Sequence, residues 1–171
     1  MNITTKLIVT DTNIITDLNN ANILEDFINL ENVYISDMVK TDEINSKTGN
    51  VETINKFKVM PATAEQLIEV NNLTTIESKL STYDLLNFVI ARDNNCILAT
   101  GDNKLKTYSE NNGIEVIRTL KIIKLMKEQK IISSKKAIKA CQLLRSYSST
   151  RIPETDIDNL IKEFEKDSTT A

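Results

Sequence analysis

The chain of 171 residues contains no histidine. That absence removes the side chain most used for proton transfer near neutral pH, so a histidine-based acid–base or triad mechanism is excluded. It also leaves the two cysteines without the partner that activates a catalytic thiol. Cys96 and Cys141 lie inside apolar segments, which reads as two buried thiols rather than a bridge and suits a reducing cytoplasm. Tryptophan is absent and aromatics make up only 5%, so the core must be mostly Ile and Leu. No run approaches the roughly 18 apolar residues that a bilayer crossing needs. The opening Met1-Asn2-Ile3-Thr4-Thr5-Lys6 lacks the apolar stretch of a signal peptide.

What remains is ordinary globular material, 40% hydrophobic and 26% charged. The net charge of -3 and a pI near 5.1 argue against nonspecific nucleic-acid binding on average. The average conceals an asymmetry: residues 104–151 hold twelve Lys/Arg against three acids, Glu110, Glu115 and Glu128. Such a stretch suits a nucleic-acid surface, and equally the solvated faces of helices.

Punctuation and periodicity predict alternating strands and helices over the first 120 residues. Strands are expected at 6–10, 33–36, 57–60, 96–100 and 114–117. Helices are expected after Asp11 through Leu18, at 23–30, after Ser36 or Asp37, at 62–77, from Ser81 through Arg92, and at 103–112 with Gly113 as its C′ residue. Residues 46–50 read as a loop. The last stretch reads as helices at 119–130, 134–147 and 154–166, with a polar tail fraying from Asp167. This order predicts an α/β fold of three layers, α/β/α, with a central parallel sheet and a C-terminal helical extension.

Acids mark four places beside the apolar runs: Asp11, the Asp42-Glu43 pair, Asp84 and Asp102. Each has a purely local explanation. Asp11 and Asp102 suit helix N-caps, Ser81-x-x-Asp84 resembles a capping box, and Asp42 and Glu43 suit a solvated helix face. In a parallel sheet, however, strand ends and the helices they feed converge on one crevice. Carboxylates brought within about 5 Å repel unless protonated or neutralised by a cation. An oxygen-only donor set without imidazole suits Mg²⁺ or Mn²⁺. Two such cations roughly 4 Å apart are an arrangement for cutting phosphodiesters, one activating water and the other offsetting charge on the leaving oxygen.

The ordered motifs Ile8-Val9-Thr10-Asp11-Thr12-Asn13, an acid after the second strand, Leu80-Ser81-Thr82-Tyr83-Asp84 and Leu98-Ala99-Thr100-Gly101-Asp102 resemble those of PIN domains. The resemblance covers residues 6–120 and continues more weakly through the following helices, which are similar to bacterial toxins of the VapC type. It implies a PIN-like catalytic domain at 1–120 and a C-terminal helical extension at 121–171. It further implies a Mg²⁺- or Mn²⁺-dependent ribonuclease, with an antitoxin protein as partner and homodimers common among the similar toxins. Asp11, Asp84 and Asp102 would be metal ligands and catalytic acids. The second acid is Glu43 by residue type and Asp42 by ungapped counting, and both stand. Asn13 and Thr100 match supporting polar positions. Gly101-Asp102-Asn103 departs from relatives that carry a second acid beside the fourth. Lys104, Lys106 and Arg118 fall near the expected crevice and suit RNA phosphates, with Lys121, Lys124 and Lys127 extending the track.

Two other readings are open to the same residues. Asp11-x-Asn13 loosely matches phosphatases with an aspartyl nucleophile, but those need an acid where Asn13 stands. A PIN-like interaction protein without catalysis, binding a partner through its helical tail, would use the acids as caps alone.

Overall fold

Strands of two to four residues can hold a sheet only if both faces are covered, and here both are. The computed structural model describes residues 6–44, 51–147 and 151–169, with the side chains of 42–44, 51, 168 and 169 outside the described set. Five strands, β1 (Ile8–Thr10), β2 (Val33–Ser36), β3 (Lys58–Met60), β4 (Ile97–Ala99) and β5 (Val116–Ile117), form one sheet of order β3-β2-β1-β4-β5. Every pairing is parallel, with Ile8 opposite both Val33 and Ile97. Side-chain alternation sorts the strands between two cores. Ile8, Ile35, Ile97, Ala99 and Ile117 join one, and Val9 and Leu98 join the other.

The first core receives α1 (Thr12–Asn20), α2 (Leu24–Ile28), α7 (Thr119–Glu128), α8 (Ser134–Ser146) and α9 (Glu154–Thr169) through residues such as Ile15, Phe27, Ile123, Leu144 and Ile157. Here α3 is Val51–Asn55, which adds Ile54 to that core. The second core receives α4 (Ala64–Ile76), α5 (Thr82–Asp93) and α6 (Asn103–Asn111) through Val70, Phe88 and Leu105. The expected three-layer α/β/α arrangement is therefore what forms.

Local chemistry explains the helix starts. Ser36 Oγ accepts from Val39 N, and Asp37 Oδ1 accepts from both Met38 N and Ala62 N. The chain beyond winds as a π-helical turn, Val39–Ile44, which carries the Asp42-Glu43 pair. Thr63 and Gln66 close a capping box on α4, as do Ser81 and Asp84 on α5. Gly113 sits at φ 79°, the left-handed position predicted for the residue that ends α6.

Two details differ from expectation, and one expected segment is untested. Helix α3 was not foreseen in the sequence, since five residues carry little periodicity. The loop expected at 46–50 lies outside the described residues. Helix α9 does not fray at Asp167 but continues to Thr169, because Asp167 is ion-paired to Lys127 of α7. The apolar series Ile157, Leu160, Ile161 and Phe164 anchors the whole helix along one face.

Candidate active site

The chain places β1, β2 and β3 outward in one direction, then crosses back to lay β4 and β5 on the other side of β1. The direction of winding reverses between β1 and β4, and the crevice beyond their carboxyl ends is where open α/β sheets bind ligands. Asp11 follows β1 directly, and Thr100-Gly101-Asp102 follows β4. Asp11 N donates to Ala99 O at 2.9 Å, so the two strand ends are locked in register up to the site.

A short polar chain links the two acids. Asp11 is 3% exposed, and its carboxylate accepts from Thr12 N at 2.7 Å, Asn13 Nδ2 at 3.2 Å and Thr100 Oγ1 at 2.8 Å. Thr100, fully buried, uses the same hydroxyl oxygen to accept from Asp102 N at 3.1 Å. Asp102 Oδ1 caps α6 by accepting from Lys104 N and Leu105 N, while Oδ2 faces Arg151 Nη1 at 3.9 Å. Gly101 lies against Asn13: a Cβ there would meet Asn13 Cβ at 3.4 Å, the near edge of ordinary contact. Thus Asp11, Asn13, Thr100 and Asp102 come together.

The other predicted acids are placed differently. A helix connecting parallel strands runs back against them, so the N-terminus of α5 lies at the same end of the sheet as Asp11. Asp84 stands there, but its Oδ2 accepts from Ser81 N at 2.9 Å and Ser81 Oγ at 2.8 Å. Asp42 and Glu43 belong to the π-helical turn that leaves β2 at that end, and their side chains lie outside the described residues. Among the described residues no three acids or thiols stand as a ready group for a metal ion. The capping explanations of Asp11, Asp84 and Asp102 all hold. Capping and a place in the crevice are therefore the same arrangement.

The donor set still suits a hard divalent cation. It offers carboxylate oxygens without nitrogen or sulfur, and Asp102 keeps Oδ2 outside the helix cap. Asn87 lies one turn beyond Asp84 on α5. It is fully buried, and neither its Oδ1 nor its Nδ2 has a hydrogen-bond partner among the described residues. A buried amide in that condition costs about 1–3 kcal/mol. Within the apolar run Leu85-Leu86-Asn87-Phe88-Val89 it was the one polar residue, and that was the signal available beforehand.

The basic residues separate into two kinds. Arg118 Nη1 donates to Asn103 Oδ1 and its Nη2 to Gly101 O, both at 2.7 Å, so Arg118 braces the loop that carries Asp102. Lys106 pairs with Glu110, Lys124 with Glu128 and Glu163, and Lys127 with Asp167. Arg145 and Lys136 likewise meet Asp158 and Asp26. Lys124, Lys127, Lys136 and Arg145 are thus matched by acids of α9 and α2. Lys104 stands at the start of α6, beside Asp102, and Lys121 lies in the first turn of α7.

Sequence reasoning passed over Asp17, which lies one helical turn beyond Asn13 on α1. Burial pushes its carboxyl above the ordinary carboxylate range, opposed by the Thr119 hydroxyl, which donates to Oδ2 at 2.7 Å, and by the Arg118 charge. The i, i+4 spacing of Asn13 and Asp17 was the available signal. Both thiols are raised by burial, Cys141 to about 12, which agrees with inert cysteines.

A family model described as PIN domain matches residues 7–166. The chain therefore belongs to the PIN-domain family, whose fold is a nuclease fold that typically works with divalent metal. No curated protein and no solved structure matches it. Among the described residues, no helix is long and apolar enough to cross a membrane.

Proposed function

We propose that the chain is a Mg²⁺- or Mn²⁺-dependent endoribonuclease, acting as the toxin of a toxin–antitoxin pair. The observation that carries the nuclease reading is the Asp11–Thr100–Asp102 chain at the reversal point between β1 and β4 in a PIN-family protein. Asp11 and Asp102 would hold the cation, with Asp84 and either Asp42 or Glu43 completing the set from the β2 and α5 side. When bound, the cation supplies activation of water at neutral pH and offsets charge on the departing 3′ oxygen. Thr100 and Asn13 fix the Asp11 carboxylate so that it faces the crevice in one orientation. Asp84 engages Ser81 through Oδ2 and would join through Oδ1, with the cap kept. Lys104 and the charge of Arg118 lie where RNA phosphates would pass, and the 5′-phosphate product would leave along the same edge.

A second reading is favoured by the Ser81–Asp84 capping box. In that reading the chain is a PIN-like interaction protein, and the acids are caps only. The acidic first turn of α9 and the matched lysines give it a charged surface for a partner.

The deciding experiment is cleavage of labelled tRNA, ribosomal and single-stranded RNAs with Mn²⁺, Mg²⁺ or EDTA, beside Asp11→Asn. Cleavage that requires metal and vanishes in the variant supports the nuclease. No cleavage, with no heat of metal binding, moves the reading to the interaction protein. Co-purification with the product of a neighbouring reading frame, and loss of cleavage in that complex, tests the toxin half.

A further inference from the structure

Beside the acids, on the β5 flank of the crevice, lies a cavity of about 340 Å³. That is within the range of small-molecule pockets, roughly 300–1,000 Å³, and it accommodates a nucleoside but no duplex. Asn13, Gly101 and Asn103 form its border with the Asp11–Asp102 chain. Asp17 and Thr119, hydrogen-bonded to each other, are its polar lining between α1 and α7. Its other wall comes from the segment that leads into α9. Ile152 and Pro153 supply apolar surface, and Asp156 a further carboxylate at the start of the helix.

The lining is uneven in a way that selects. Leu120, Ile152 and Pro153 present aliphatic surface against which the face of a base would pack. The carboxylates of Asp17 and Asp156 are hydrogen-bond acceptors when ionised. Arg151 is 83% exposed at the side chain and stands between the cavity and Asp102 Oδ2. Its guanidinium thus lies where a phosphate would join a nucleoside in the cavity to the bond held by the acids.

We propose that this cavity is a nucleoside subsite, seating the nucleotide next to the bond that is cut and preferring guanine. Among the four bases guanine offers adjacent N–H donors, at the ring N1 and the exocyclic amine, to a carboxylate. Uracil offers one ring N–H flanked by carbonyls that meet the carboxylates unfavourably. Arg151 exchanges its long contact with Asp102 for the connecting phosphate, which also relieves Asp102 for the cation. The subsite rests on the nuclease reading for its place in a reaction, but its base binding is separately measurable.

The test has two arms. In the first, the metal-free protein is titrated with GMP, AMP, CMP and UMP as 5′-monophosphates and followed by backbone amide NMR. The expected result is shifts at Asn13, Thr119 and Ile152, with GMP binding about tenfold tighter than UMP, as one or two added hydrogen bonds give. Asp17→Asn should bring that ratio close to one, and Ile152→Trp, which fills the mouth from an exposed segment, should remove binding of all four. Absence of those shifts, or a GMP:UMP ratio unchanged in Asp17→Asn, overturns the proposal. In the second arm, single-stranded RNAs differing in one base are cleaved with Mn²⁺. Cut sites beside guanosine in the wild type, lost as a preference but not as cleavage in Asp17→Asn, support it. Cleavage indifferent to the neighbouring base overturns it. Guanine-selective binding with no cleavage of any RNA tells against the nuclease reading alone and supports the subsite.

Discussion

The two flanks of the crevice are built to different standards. On the β1–β4–β5 side, Asp11, Thr100 and Asp102 are joined by hydrogen bonds, and Arg118 braces their loop. On the α5 side, Asp84 is turned back to Ser81 and Asn87 is buried without a partner among the described residues. The first flank is preorganised by the fold. The second satisfies Asp84 through a cap and carries one buried amide, Asn87, whose polar demands the described residues do not meet. The difference teaches that the permanent half of such a site doubles as structure, whereas the conditional half carries a stability cost.

Breaking the permanent half should have the largest effect. Asp11→Asn is expected to lower kcat/KM for RNA on the order of 10³-fold or more, since it removes a charge from the set that would hold the cation. Steady-state cleavage of a labelled oligonucleotide reads this directly. Thr100→Val should come next. It removes the hydroxyl between Asp11 and Asp102 and is expected to cost about 10–100-fold in activity, as a lost second-layer contact does. Urea unfolding of the same variant should show a loss of about 1–3 kcal/mol.

The conditional half should respond with opposite signs. Asn87→Leu is expected to raise the urea midpoint by about 1 kcal/mol in stability, because an apolar side chain of similar size needs no partner there. Its cleavage rate should fall at the same time. A stabilised variant with full activity would show that Asn87 has no part in the site and would blur the contrast between the flanks.

The smallest effect expected is that of pH at Asp17. Its carboxyl is raised in the folded protein, so the folded state holds its proton more tightly than the unfolded one. Stability from that source is full below the unfolded pKa and is lost as pH rises through the folded one. Asp17→Asn should therefore melt higher than the wild type near neutral pH. The difference should shrink as pH falls toward 4, the ordinary carboxylate range. A melting difference that grows on acidification would contradict the burial argument.

Much of this was legible beforehand, because strand ends and helix caps are local matters. The β1 and β4 ends, the Ser81 box and the Gly113 turn follow from residues within a few positions of one another. What escaped was long-range. Asp17 owes its raised carboxyl to burial, and Thr119 and Arg118, some hundred residues away, oppose the shift; no periodicity announces that environment. The pairing of Lys124, Lys127 and Arg145 with acids of α9 is likewise visible only once the helices pack. Asp42 and Glu43 were ambiguous in sequence, and a π-helical turn explains why: its wider spacing defeats a face assignment made with 3.6 residues per turn.

Helix α1, which Asp11 caps, is covered by α8, and α8 by α9. The helix that follows the first acid therefore draws its outer packing from residues far away along the chain. Removing α8 and α9 would bare the apolar face of α1 beside the crevice, so damage at those two helices would be felt at Asp11.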